Sequence, residues 1–128
     1  MLKLVIVSFL FSVLSYAQIG INSEVYEVCE VNYNDYTLEN CETYYEFNSI
    51  VFNFDEEAVY ISGEDFLEFN IVSGYQDEYG EIYTYDCVNS SGAQFTVILN
   101  MDESYVLVIP IEYSGFSAIK FYIESYME

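Results

Sequence analysis

From Thr43 onward, short apolar runs are set between turn residues at intervals of about 8 to 12 positions, a spacing that suits hairpin-linked strands and leaves little room for helices. Leu67, Phe69 and Ile71 alternate with Glu68 and Asn70, so one face of that segment can meet a core while the other stays wet. Phe95, Val97 and Leu99 repeat the pattern against Thr96 and Asn100, and Ile119, Phe121 and Ile123 against Lys120, Tyr122 and Glu124. Asp55-Glu56-Glu57, Gly63-Glu64-Asp65, Asn89-Ser90-Ser91-Gly92, Met101-Asp102-Glu103 and Ser114-Gly115 supply the turn chemistry between them.

The pattern predicts strands near 44–54, 58–62, 66–73, 81–88, 93–100, 104–113 and 117–125. That is an all-β antiparallel meander of about seven strands, forming a small barrel or a two-layer sandwich. Residues 105–111 are apolar on both faces, while Pro110 argues for a bulge or an edge there. In 18–42, Val25, Val28 and Val31 recur every third residue, which fits neither strand nor helix. That segment reads as an irregular extension or edge strand preceding a β domain over 43–128.

Residues 1–17 read as a cleaved signal peptide. Lys3 gives a positive end, 4–14 an apolar run broken by Ser8 and Ser12, and Ser15-Tyr16-Ala17 a small-x-small cleavage pattern. The run is shorter than the roughly 20 residues of a membrane-spanning helix. The expected product begins at Gln18 and is periplasmic or secreted, with no membrane anchor after cleavage.

All 22 acidic residues follow the cut, where Lys120 is the one remaining basic side chain; the chain has no His. Such a charge disfavours nucleic acid and anionic lipid, whose affinity for proteins comes chiefly from Lys and Arg. It favours divalent cations and basic protein surfaces. Abundant Tyr (15) and Phe (10) provide enough apolar surface for a core despite that charge.

Cys29, Cys41 and Cys87 in an oxidising compartment allow one bridge and one leftover thiol. Three pairings are open. Cys29 with Cys41 closes the shortest loop, worth roughly 3 kcal/mol by chain entropy, and the sequence does not choose between it and a bridge to Cys87. With no His, no C-x-x-C pair and no fourth Cys, zinc is disfavoured.

Catalysis by Ser-His-Asp or Cys-His sets needs a His, and no Walker-type loop or Asp-Thr-Gly signature occurs. The expectation is a non-enzyme with no resident cofactor. Calcium is the alternative chemistry, because clustered carboxylates suit a hard cation. Asp77, Glu78 and Glu81 form the densest loop and Asp55, Glu56 and Glu57 the next, though neither has EF-hand spacing. Tyr75, Tyr79, Tyr83 and Tyr85 are candidates for an exposed aromatic surface that packs on a glycan or protein partner; Tyr44 and Tyr45 extend that set.

The leader ending Tyr16-Ala17-Gln18, followed by a Tyr-rich chain with Tyr85-Asp86-Cys87-Val88-Asn89 before Gly92, resembles small exported proteins of flavobacteria and their relatives. The resemblance implies an exported single-domain β protein and carries no activity with it. Three functional expectations follow. The first is an exported non-enzymatic domain acting by binding or surface presence; the others are a calcium-binding or calcium-stabilised module and an acidic inhibitor of a basic protein.

Overall fold

An apolar face on a strand must be covered, and here one sheet covers itself by curling. The computed structural model describes residues 18–77, 80–111 and 116–127; the expected leader and the Ser114-Gly115 turn lie outside them. The strands are β1 (Gln18–Ser23), β2 (Val25–Asn32), β3 (Thr37–Tyr44), β4 (Asn48–Asn53), β5 (Ala58–Ser62) and β6 (Phe66–Gln76). They continue as β7 (Ile82–Val88), β8 (Gln94–Asn100), β9 (Tyr105–Pro110), β10 (Ala118–Tyr122) and β11 (Ser125–Met127). All eleven belong to one antiparallel sheet, in the order β11-β1-β4-β5-β6-β7-β8-β9-β10-β2-β3.

The seven expected strands are β4 to β10, and they form the expected meander. Two expectations need correction. The described strands number eleven rather than about seven, because 18–42, expected as an irregular extension or edge strand, holds β1, β2 and most of β3, and Ser125–Met127 adds the short β11. Of the first three, only β3 lies at an edge; β1 pairs with β4 and β11, and β2 with β10 and β3. Its spacing hid it because β2 carries apolar residues on both faces: Tyr26 packs against the core, while Cys29 is buried by its bridge to β3.

The second correction concerns architecture. All the described strands form a single sheet that is not closed into a barrel, since its series of strands ends at β11 on one side and β3 on the other. Only Glu24 separates β1 from β2, and Ile123 and Glu124 separate β10 from β11. Gly20 lies opposite Met127, Asn22 opposite Ser125, Val25 opposite Tyr122 and Cys29 opposite Ala118, one register carried across both bends. The Glu124 N–H donates to the Asn22 carbonyl at 2.8 Å, and the Ser23 hydroxyl donates to the Val25 carbonyl.

These bends draw the flanks of the sheet together around one core. Ile21, Ile50, Phe52, Val59, Ile61, Phe69, Cys87, Phe95, Val97, Leu99, Val106, Val108 and Phe121 form a single buried cluster with members from β1 and from every strand from β4 to β10. A flat sheet would keep strands so far apart in the series from sharing a core.

Two bulges tune the curl. At β6, Ile71 faces Cys87 and Ser73 faces Asp86, so Val72 is the extra residue. The phase shift turns Gly74 toward Tyr85, whose ring lies where a Gly74 side chain would be: an added Cβ would sit 2.5 Å from Tyr85 Cδ1. At β3, Asn40 and Cys41 together oppose Cys29, and Asn40 adopts φ 53°, a left-handed conformation that Asn tolerates. Pro110 marks no bulge. The β8–β9 register is uniform and Pro110 ends β9, beyond the residues that pair with β10.

Phe52 is fully buried and stacks near Phe54 and Tyr85. Phe52→Ala should therefore cost about 3–5 kcal/mol in urea unfolding, whereas Phe47→Ala, at an exposed position, should change stability by less than about 0.5 kcal/mol.

Candidate functional site

The inner face is not filled evenly. On one side of the core, the rings of Phe52, Phe54 and Tyr85 pack together with centroids 5.6 to 6.4 Å apart. Elsewhere a cavity of about 260 Å³ lies where β2, β9 and β10 contribute the shorter side chains of Val28, Val108 and Ile119, across from the phenylalanines of β6 and β8. That volume is just below the span of about 300–1,000 Å³ usual for ligand pockets.

Its walls follow from the strand pattern. Leu67 and Phe69 enter from β6, and Phe95 from the start of β8. Phe95 meets Phe69 edge-on at 5.1 Å and Phe116 edge-on at 5.4 Å, the geometry that aromatic quadrupoles favour. Phe66 and Phe116 stand at the mouth, 61% and 49% exposed. The polar lining is Glu68, Asn89, Ser90 and Ser117.

The β7–β8 turn at this rim is held by Asn89. Its Oδ1 accepts from the Ser91 N–H, the Ser91 hydroxyl and the Ala93 N–H at 2.9 to 3.1 Å, and Gly92 takes φ 88°. An Asx turn of this kind fixes the rim without help from the cavity's contents. Reading the sequence alone missed this site, because its walls come from five strands. One signal was available: Phe66 and Phe116 sit beside the polar turns Glu64-Asp65 and Ser114-Gly115, where buried residues are not expected.

The acidic loops have structural employment. Asp77 Oδ1 accepts from the Glu81 and Ile82 N–H groups at 3.0 and 3.1 Å, which caps the β6–β7 connection. Glu78 lies outside the described residues, and Glu81 is exposed. In the β4–β5 turn, Asn53 Oδ1 accepts from the Glu56 N–H, Glu57 takes φ 55°, and Glu56 accepts from the Tyr60 hydroxyl; Asp55 is exposed beside them. Among the described residues, Glu27, Cys29 and Cys41 are the only grouped set of three possible metal ligands, and the two cysteines form a disulfide.

The tyrosine set is divided rather than assembled. Tyr83 and Tyr85 point inward from β7 and pack against the core, Tyr75 is 67% exposed, and Tyr79 lies outside the described residues. Tyr44 and Tyr45 are exposed near the end of β3. Tyr83 and Tyr85 also line a more open hollow of about 380 Å³ at the β6 bulge.

Several tyrosine hydroxyls donate to glutamates: Tyr26 to Glu46, Tyr44 to Glu42, Tyr60 to Glu56 and Tyr122 to Glu27. Burial, then the bond to Glu46, pushes Tyr26 up to about 12; for Tyr60 the bond to Glu56 comes first, and it too reaches about 12. Burial also raises Tyr85, and it pushes the Cys87 thiol up to about 12 with Asp86 adding to the effect. Lys120 lies over the rings of Tyr105 and Tyr122, at 4.6 and 5.3 Å from their centroids.

The chain matches no protein-family model, no curated protein and no solved structure.

Two measurements check this description. With Cys29 and Cys41 bridged and Cys87 buried, a thiol reagent should find one thiol per chain in guanidinium and almost none in the native protein. Tyr26 and Tyr60 ionise near 10 when unfolded but near 12 when folded. Their folded pKa is the higher one, so their contribution is complete below about pH 10 and is lost as pH rises through about 12. Denaturant midpoints should fall across that window, and Glu56→Gln should lower the Tyr60 midpoint followed by ring ¹³C NMR.

Proposed function

We propose that this chain is an exported, non-catalytic binding domain that holds a small apolar molecule in the cavity between β2, β6, β8, β9 and β10. The observation that carries the reading is the phenylalanine-walled hollow with a pre-formed polar rim: apolar lining supplies affinity, and a few placed polar groups supply orientation. The absence of His from the whole chain supports a role in binding over acid–base or nucleophilic chemistry. Export draws support from the Cys29–Cys41 disulfide, a bond that persists in oxidising compartments. Among the described residues no helix is long and apolar enough to cross a membrane.

The calcium reading has weaker support, because Asp77 already spends one carboxylate oxygen on two backbone N–H groups. The inhibitor reading rests on net charge alone.

The test uses a neutral apolar fluorophore, N-phenyl-1-naphthylamine, with purified protein. Saturable enhancement is expected, together with a stabilisation of about 2.7 kcal/mol at a free concentration of 100 Kd. Val28→Phe, which fills the hollow from β2, should abolish both while leaving the strand signal in circular dichroism intact. No saturable enhancement by the unmodified protein, or binding unchanged in the folded Val28→Phe variant, overturns the reading.

A further inference from the structure

The charge around the cavity selects among apolar ligands. Glu68 is the one ionisable residue in the lining; it alternates with Leu67 and Phe69 along β6, so its carboxylate is exposed on the same face as Phe66, at the mouth rather than inside the hollow. Among the described residues no basic side chain lines the cavity to neutralise it. The whole chain has two basic side chains, Lys3 at its start and Lys120, which sits over Tyr105 and Tyr122 on β9 and β10. An uncharged ligand that covered Glu68 would strip water from a carboxylate with nothing in return, and an anionic ligand would add repulsion. A ligand cation removes both costs. The mouth adds a second attraction, since Phe66 and Phe116 leave ring surface exposed beside that carboxylate, and an ammonium over an aromatic face gains about 0.5–1 kcal/mol at exposed sites.

We propose that the cavity takes a small cationic amphiphile, with its apolar tail among Val28, Phe69 and Phe95 and its ammonium between Glu68 and the rims of Phe66 and Phe116. This rests on the reading of the hollow as a ligand site. It assigns to Glu68 the choice of head group and leaves tail affinity to the phenylalanines. The overall charge of the chain reinforces the choice by drawing cations toward the surface.

The experiment is calorimetric titration of the purified protein with octylammonium, octanol and octanoate, which share one tail, at neutral pH and low ionic strength. Octylammonium should bind about tenfold tighter than octanoate, with octanol between them. Glu68→Gln should shrink that gap to within about twofold while leaving octanol binding unchanged. Glu103→Gln, in the turn at the far end of β8 from Phe95, should preserve the gap. If the three ligands bind equally, or if Glu103→Gln closes the gap as much as Glu68→Gln, the assignment of Glu68 is overturned and the apolar site stands. If none of the three binds, both readings fail.

Discussion

Residues 20–29 and 118–127 pair in one antiparallel register across two bends, and the curl of the whole sheet depends on that contact. β4 to β10 are a plain meander, which left alone would expose one apolar face and two long edges. Pairing the first described residues with the last brings β1 beside β4 and β2 beside β10, so the ends of the meander are held by one bent segment that pivots at Glu24. Ile21 can then share a core with Phe121 and with Val97 on the middle strands. The cost is contact order. The pairing joins residues about a hundred positions apart, so loop closure delays it relative to the local hairpins.

The meander was legible because its strands bury one face and wet the other. Leu67-Glu68-Phe69-Asn70-Ile71 states that arrangement residue by residue, and β6 obeys it up to the bulge at Val72. β1 to β3 were not legible. β2 is covered on both sides, inward by the core and at Cys29 by the bridge to Cys41, so its apolar residues do not alternate. The disulfide choice itself depended on β2 and β3 being neighbours, which no spacing rule reveals. The cavity was hidden for a similar reason: Val28, Phe69, Phe95 and Ile119 are ordinary strand residues until the curl brings them to one hollow.

Acidity and tyrosine content, separate facts in the sequence, are one arrangement in the structure. A chain with so few basic groups has few cationic partners to offer its carboxylates, and Tyr26, Tyr44, Tyr60 and Tyr122 donate hydroxyls to glutamates instead. A neutral donor orders the carboxylate without cancelling its charge. The surface therefore stays strongly anionic, while the Tyr26 ring still packs against Phe121 and Tyr44. The same charge guards the free edge. Glu39 and Glu42 on β3 and the bulge at Asn40 and Cys41 all oppose pairing with another strand.

Side-chain volume decides where the hollow lies. A curled sheet of fixed strand number encloses a set volume, and its interior must be filled to crystal-like density or left with a void. Phe52, Phe54 and Tyr85 fill one part with three rings in mutual contact, and Gly74 gives way to Tyr85 there. Where β2, β9 and β10 contribute Val28, Val108 and Ile119, the lining is shorter, and Phe69 and Phe95 pack edge-on against each other. A chain selected for stability alone could close that gap with one larger side chain at Val28 or Ile119. Keeping short residues opposite two phenylalanines retains a hollow whose lining forgoes dispersion contacts, contacts that the apolar ligand proposed above would restore.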